Sequence, residues 1–341
     1  MPSDQSLILT TSYRTAFLLC LLLLATFLII LGIYTMQMPG ESPKTWQMPV
    51  DSIELLEREK LLRQHVENLA IKIGERNSGD LFSLTQTINY IKEQLDSSLT
   101  VNQQHFGPEL KYSNLEITIA GSSSSKRELV IGAHYDTAIG TRGANDNASG
   151  VALLIELAKD LSKKQFSNGI RLVFFANEEP PYFQTELMGS YQYASHARKA
   201  NMDIICMLSL ETLGFYSGEP DSQRYPSPLN LFYPDVGNFI AIVGNLESAT
   251  MARRLVGYMR EQNFAPVEGG AFPHFLPGIS WSDHWAFWKA GYCGVMLTDT
   301  APFRYPYYHT DQDLPDKLDY SKLALLSYNL PGLVSMIDSE N

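Results

Sequence analysis

The amino-acid sequence predicts an α/β fold: a mostly parallel, mixed β-sheet sandwiched by helices. Short apolar runs that are typical of buried strands recur along residues 129–297. Segments with helical periodicity fall between most of these runs. Strands that alternate with helices favour parallel pairing, with helices on both faces of the sheet. Ligands of such sheets bind beyond the carboxyl ends of the strands, and polar residues follow several of the runs.

The predicted elements are short and regularly spaced. The apolar runs predict strands at 129–133, 170–176, 204–210, 239–243 and 294–297. The helical periodicity predicts helices at 151–163, 190–200, 248–262 and 283–290. Ahead of these elements, residues 51–95 are predicted to form two helices, to which we assign packing rather than chemistry.

The first strongly apolar segment predicts a membrane anchor. Residues 15–33 are nineteen residues without a charge, enough as a helix to span a bilayer core of about 30 Å. A cleaved signal peptide is the alternative, but its apolar core is shorter, about 7–15 residues. We expect a short tail at 1–14, a single transmembrane anchor at 15–36, a proline-rich linker at 37–49 and one domain at 50–341. The lipid bilayer is then a partner, with the domain on the periplasmic or extracellular side.

Charge and cysteine content exclude other classes of protein. The chain has 26 Lys and Arg against 37 Asp and Glu, a net charge of −11, which argues against nucleic acid as a partner. Its three cysteines form no CxxC pair and cannot build a dense disulfide framework. Cys206 and Cys293 are predicted to be buried apolar thiols. Any metal chemistry must therefore use histidines and carboxylates.

The first polar candidates follow the predicted strands. His134 can bind a metal through one ring nitrogen while Asp136 fixes the other N–H. Asp146 precedes a helix, where it is either an N-cap or a carboxylate that bridges two cations. Glu178 and Glu179 are adjacent, which is costly unless a cation or a shared proton relieves their repulsion. Their side chains point apart in extended backbone, so one can bind metal while the other faces substrate.

Later candidates extend this set. Glu211 ends the next strand, and Tyr308 and His309 lie in a loop near the C-terminus; taken singly, each could be a solvated residue. Together the sequence places five potential ligands at one edge of the sheet: His134, Asp146, Glu179, Glu211 and His309. Histidine and carboxylate ligands without thiolates suit Zn²⁺, and paired zinc sites serve hydrolysis. We expect two Zn²⁺ ions, because three ligating carboxylates would otherwise repel one another.

Two further features stay open at the level of sequence. Ser282 is an ordinary helix N-cap in one interpretation, whereas Asp283 and His284 form a wall of the site in the other. None of the three is placed in the ligand set. The segments 215–233 and 271–281 are rich in aromatic residues. Loops over the site and core packing both explain them. Loops of this composition would favour substrates with apolar side chains.

The motifs HYDT, GANDNASG, NEEP, SLETLG, SDHWAF and YHTDQD, in this order and at this spacing, resemble the zinc-dependent aminopeptidase family. That family includes secreted bacterial leucyl aminopeptidases, glutamate carboxypeptidase II and the glutaminyl cyclases. The resemblance runs from about Leu129 to the C-terminus. It implies a phosphorylase/hydrolase-like zinc exopeptidase fold.

The resemblance also implies a role for each residue that matches a motif. His134 and Glu211 would hold one zinc, Glu179 and His309 the other, and Asp146 would bridge them. In the catalytic set, Asp136 would orient His134, Glu178 would be the general base and Tyr308 would donate a hydrogen bond to the oxyanion. The family more often has Asp at the position of Glu211.

The expected function is therefore that of a membrane-anchored aminopeptidase that acts on peptides. Two alternatives share the fold: a glutaminyl cyclase with a single zinc, and a carboxypeptidase. A third is a catalytically silent ectodomain that serves as a receptor or scaffold. The sequence leaves the oligomeric state open.

Overall fold

The computed structural model describes residues 4–49, 52–96, 99–124 and 126–339. The chain divides into two compact units, Met1–Gln37 and Met38–Asn341. The first unit contains helix α1 (Asp4–Met36). Its stretch Tyr13–Met36 is long and apolar enough to cross a membrane, although a signal sequence would pass the same test. The first three residues of the predicted tail lie outside the described residues, and its remainder belongs to α1.

The second unit is built on one eight-stranded sheet. Its strands are β1 (Val101–Phe106), β2 (Tyr112–Ile119), β3 (Arg127–His134), β4 (Gly169–Phe175), β5 (Asp203–Glu211), β6 (Ile240–Gly244), β7 (Val267–Ala271) and β8 (Gly294–Thr298). They lie in the order β1-β2-β4-β3-β5-β8-β6-β7. The central strands β4, β3, β5 and β8 are mutually parallel. Their carboxyl ends therefore meet at one edge of the sheet.

Helices cover both faces of this sheet. They are α2 (Ile53–Glu67), α3 (Leu81–Gln94), α4 (Gly150–Leu161), α5 (Gly189–Lys199), α6 (Ala249–Gln262), α7 (His284–Lys289), α8 (Ala301–Arg304) and α9 (Tyr320–Ser339). Side chains alternate along each strand, so Leu129 and Ile131 join one apolar core while Val130 joins another. The larger core includes residues of α2, α4, α6 and α9. The smaller one lies under α5 and α7.

The predicted fold class is confirmed: a mixed, mostly parallel sheet lies between helices. Each predicted strand and helix from residue 129 onward has a counterpart whose ends differ by no more than three residues. The segment 51–95 contains α2 and α3, with a π-helical turn (Asn68–Ile73) after α2. The sequence analysis missed β1, β2, β7, α8 and α9.

Residues 38–49, the greater part of the predicted linker, pack against the domain. The Trp46 side chain is only 8% exposed, and its Nε1 donates to the Asn238 carbonyl at 3.2 Å. The Ser42 hydroxyl accepts a hydrogen bond from the Val267 backbone N–H at 2.9 Å. The folded unit accordingly begins at Met38.

The prediction that Cys206 and Cys293 are free thiols is wrong, because a disulfide joins them. The parallel register pairs Met207 of β5 with Gly294 of β8. This pairing brings the preceding residues side by side, with Cα atoms 4.5 Å apart. The two cysteines are 87 residues apart in the chain, so their proximity depends on a strand pairing that the sequence does not specify.

We expect the full chain, unfolded without reductant, to present one free thiol, Cys20. Replacing both bonded cysteines with alanine should lower the free energy of unfolding by about 2–4 kcal/mol, the usual contribution of a native disulfide. Thiol titration with and without reductant checks the first expectation, and denaturant unfolding of the wild type and the double variant checks the second. Three reactive thiols before reduction would contradict the pairing.

Candidate metal centre

The carboxyl edge of the central strands carries the predicted ligands. His134 is the last residue of β3, Glu211 is the last residue of β5, and Glu179 follows β4 by four residues. Asp146 lies in a π-helical turn (Ala144–Ser149) that leads into α4, and His309 lies in the loop after α8. The first four are buried, whereas the His309 side chain is 32% exposed.

Two groups of ligand atoms meet at this edge. In the first, His134 Nε2 lies 3.2 Å from Asp146 Oδ1 and 3.3 Å from Glu211 Oε2. In the second, His309 Nε2 lies 3.0 Å from Asp146 Oδ2 and 3.1 Å from Glu179 Oε1. Asp146 thus offers one oxygen to each group. Within each group the ligand atoms lie close enough together to hold one metal ion.

The polar atoms at the centre of these groups have no hydrogen-bond partner among the described residues. They are His134 Nε2, both carboxylate oxygens of Asp146, and Glu179 Oε1. Buried polar atoms are rarely left unsatisfied in native proteins, because each one costs free energy. Imidazole nitrogens and carboxylate oxygens are zinc ligands. The residues at this edge therefore fit zinc, both in ligand type and in their unused lone pairs.

Asp136 contacts both sides of the site. Its carboxylate accepts hydrogen bonds from the backbone N–H groups of Glu178 at 3.0 Å and Glu179 at 3.1 Å. The His134 Nδ1 atom lies closer to the Asp136 main-chain carbonyl, at 3.2 Å, than to the carboxylate, at 3.6 Å. The contact of Asp136 with the histidine is therefore made through the backbone, while its carboxylate fixes the turn that carries the two glutamates.

The sequence analysis did not identify two residues that form hydrogen bonds to the candidate ligands, one to a side chain and one to the backbone. The Ser282 hydroxyl donates to Glu211 Oε2 at 2.7 Å instead of capping α7, whose N-cap residue is Asp283. The Asp313 carboxylate accepts hydrogen bonds from the backbone N–H groups of Asn145 at 2.8 Å and Asp146 at 3.1 Å. Asp313 lies within the YHTDQD motif, so a signal for it was present.

Burial and neighbouring charges shift the pKa values of the acidic residues in opposite directions. Burial raises the pKa of Glu178 well above its ordinary value; His134 opposes this shift, and Glu179 and Glu211 reinforce it. Burial, followed by the charge of Asp146, raises the pKa of Glu179 to about 8. Burial also acts to raise the pKa of Asp146, but the two histidines outweigh it and hold that pKa below its ordinary value. Cations at this edge would favour the charged form of every carboxylate.

An open cleft of about 780 Å³ adjoins the ligands, with Glu211 and Tyr308 in its wall. The Tyr308 ring stacks on the imidazole of His309 with centroids 3.9 Å apart. Much of the remaining lining is apolar, and six of its side chains are aromatic: Tyr225, Tyr233, Phe239, Phe272, Trp281 and Phe303. Both aromatic-rich segments of the sequence contribute to this list, so they border the cleft.

The fold and the candidate site are those of an α/β protein that could bind metal at the carboxyl edge of a mixed sheet. A model of peptidase family M28 matches residues 114–331. The chain belongs to peptidase family M28, and the prediction of a zinc-dependent metallopeptidase is thereby confirmed at the level of the family.

Individual proteins resemble this chain to different extents. Uncharacterized protein YfbL of Escherichia coli strain K12 is 34% identical over 290 residues, which cover 81% of this chain and 86% of YfbL. Aminopeptidase YwaD of Bacillus subtilis strain 168 is 26% identical over 56% of this chain and 37% of YwaD, so the chain spans little more than a third of that protein. The LapA aminopeptidase of Legionella pneumophila has a similar fold, with a TM-score of 0.65 and 17% identity over 88% of this chain and 78% of LapA.

We expect removal of metal by a strong chelator to lower the melting temperature by several degrees. The reason is that ions bound only to the folded state contribute about 4 kcal/mol when present at a thousand times their dissociation constant. Differential scanning fluorimetry with and without chelator measures the shift, and chelator already saturated with zinc is the control. Asp146→Ala, which removes the shared ligand, should abolish most of the difference. An identical melting curve in chelator would argue against the metal centre.

Proposed function

We propose that this protein is a membrane-anchored aminopeptidase with two Zn²⁺ ions, and that its substrates are peptides with an apolar N-terminal residue. One observation carries the proposal. The buried Asp146 carboxylate lies between two histidine and carboxylate groups, beside an open aromatic cleft. His134 and Glu211 would hold one ion, Glu179 and His309 the other, and Asp146 both. Zinc bound there would polarise the scissile carbonyl and make water a stronger nucleophile.

Glu178 is the general base in this proposal. Its Oε2 lies 3.9 Å from His134 Nε2, so the carboxylate faces the ligands without belonging to either group. Burial, reinforced by Glu179 and Glu211 and opposed by His134, raises its pKa. A raised pKa favours accepting a proton from the attacking water and returning it to the leaving amine. Asp136 holds the Glu178 backbone and so fixes the direction from which this carboxylate approaches.

Tyr308 acts as a hydrogen-bond donor to the developing oxyanion. Burial, followed by the charges of Asp146 and Glu179, raises the pKa of its phenol well above the ordinary value. The phenol therefore keeps its proton at neutral pH. A neutral donor next to a metal ligand can stabilise negative charge that forms during attack on a carbonyl.

The aromatic cleft supports a preference for apolar side chains. A pocket with an apolar lining that includes several aromatic rings gains free energy by removing an apolar side chain from water. A charged side chain there would lose its hydration without a matching partner, apart from the acidic residues Glu211 and Glu268. Acidic N-terminal residues should therefore be disfavoured most strongly.

Helix α1 and the disulfide both support an extracytoplasmic location for the domain. The stretch Tyr13–Met36 suits a single membrane anchor by length and composition. Disulfides persist in oxidising compartments such as the periplasm and the extracellular space, and the domain contains the bond between Cys206 and Cys293. We accordingly propose a short cytoplasmic tail, one membrane crossing and an outer catalytic domain.

Glu178→Gln is the direct test of the catalytic proposal. The amide keeps the size of the side chain but cannot accept the proton, so turnover should fall by about 10²-fold or more while bound zinc is retained. Metal analysis and steady-state kinetics on peptide amides measure the two quantities. Glu219→Gln, which changes an exposed carboxylate in a loop, is the matched control. Turnover within a few-fold of wild type would remove Glu178 from the mechanism.

Products from a peptide library distinguish the proposal from its alternatives. We expect free N-terminal amino acids as products and two zinc ions per chain. We also expect kcat/KM to be at least about tenfold higher for peptides that begin with Leu or Phe than for those that begin with Gly. Mass spectrometry of the products and metal analysis make the measurement. Pyroglutamyl peptides and one zinc ion per chain would identify a cyclase. Peptides shortened at the carboxyl end would identify a carboxypeptidase. Absence of turnover by the zinc-loaded protein would identify a catalytically silent ectodomain.

A further inference from the structure

Arg76, in the segment between α2 and α3, has an unusual environment. Its side chain is fully buried, with 0% exposure, and is the largest of the fully buried side chains described. Among the described residues it forms no ion pair with a carboxylate within 4.0 Å. Burying an unpaired charge is expensive unless hydrogen bonds compensate for the lost hydration. A guanidinium in this position therefore requires a local explanation.

Five backbone carbonyls supply that compensation. Two belong to the same N-terminal segment: Nη1 donates to Leu69 and Gly74, each at 2.9 Å. The other three belong to the turns that carry metal ligands. Nε donates to Tyr135 at 3.0 Å, Nη1 to Arg142 at 2.9 Å and Nη2 to Gly143 at 3.0 Å.

The last three carbonyls belong to residues that are close in sequence to the candidate metal ligands. Tyr135 lies between His134 and Asp136 in the chain, and the carbonyls of residues 142 and 143 open the turn that leads to Asp146. One planar group thus joins the turn after β3 to the turn before α4. Asp146 comes from the turn before α4 and His134 from the end of β3, and their ligand atoms lie 3.2 Å apart.

Backbone contacts strengthen this connection. The Arg76 N–H donates to the Thr137 hydroxyl at 3.1 Å, and the Thr137 N–H donates to the Arg76 carbonyl at 3.1 Å. Gly143 has a positive φ of 59°, and a Cβ there would lie 2.3 Å from both the Asp146 carbonyl oxygen and the Thr137 Cγ2. The two turns therefore fit closely together beside the guanidinium, and little room remains for either to shift.

The charge of Arg76 also suits this position. Burial lowers the pKa of the guanidinium to about 10, and the charges of Asp313, Asp136 and Asp146 oppose that shift. The group therefore remains a cation at neutral pH. Lysine would preserve the charge but offers three donors on a single nitrogen, which cannot reach five carbonyls held around a planar fork.

We propose that Arg76 is a positioning residue of the metal centre, which fixes the turns carrying His134 and Asp146 at the spacing that zinc binding requires. The inference rests on the proposed metal-dependent function. It assigns to the N-terminal segment, which lies outside the region matched by the family model, a part in forming the site.

Zinc affinity is the property that tests this proposal. Competition with a chromogenic chelator should show zinc binding weakened by about 10–100-fold in Arg76→Gln, the range found when partners of metal ligands are removed. Arg76→Lys should give a smaller loss, because the charge persists. Added zinc should raise the melting temperature less in Arg76→Lys than in wild type, and least in Arg76→Gln. This rise depends on zinc affinity and not on the stability of the metal-free protein.

Arg58→Gln is the matched control. Arg58 lies on α2 in the same N-terminal segment and is bound to Asp160, Glu156 and Ser327, away from the ligand turns. The Arg58→Gln variant should be less stable than wild type but should keep wild-type zinc affinity. If the Arg76 variants fail to fold, Thr137→Val, which removes one contact at similar size, should still weaken zinc binding by about threefold or more.

Folded Arg76 variants that bind zinc as tightly as wild type would overturn the inference and leave the metal centre intact. If the Arg76 variants do not fold, unchanged affinity in Thr137→Val would have the same effect. Equal loss of affinity in Arg58→Gln would also overturn it, because the effect would then follow from general destabilisation. A wild-type chain that binds no zinc would reject the proposed function together with this inference.

Discussion

Buried negative charge at one edge of the sheet is the constraint on which the rest of the structure depends. Protons alone would neutralise the carboxylates, as the raised pKa values of Glu178 and Glu179 indicate. His134 Nε2 and both carboxylate oxygens of Asp146, however, have no hydrogen-bond partner among the described residues. Cations satisfy the charge and the unused lone pairs together. The cluster therefore suits metal ions better than protons, and leaving it without them would cost free energy.

Backbone hydrogen bonds hold the cluster in place. Asp136, after β3, accepts from two successive N–H groups in the turn after β4. Asp313, from the C-terminal loop, accepts in the same way from the turn that carries Asp146. Arg76 performs the complementary task by donating to carbonyls of the ligand turns. The turns after β3, before α4 and after β4 are thus each fixed by a charged side chain from a distant part of the sequence.

The sequence predicted the centre of the fold better than its margins, for a physical reason. Strands β3 and β5 are buried on both faces, so they consist of continuous apolar runs that stand out in any sequence. The edge strand β1 is mostly exposed and polar, and β7 contains two adjacent glycines, so neither has such a run. The pairing of Cys206 with Cys293 depends on the neighbouring positions of β5 and β8, which strand order alone determines.

The same distinction applies to the site. The proximity of the candidate ligands at the strand ends could be predicted, because the parallel sheet brings strand ends together. Their residue types suit zinc. The hydrogen bonds that hold them could not be predicted, since most of the partners are backbone atoms, which have no signature in a sequence. In the sequence, Asp313 is one of two aspartates in its motif, and Arg76 is one basic residue between two predicted helices. Only the burial of that guanidinium, among carbonyls contributed by separate turns, shows that the N-terminal segment and the ligand turns form one structural unit.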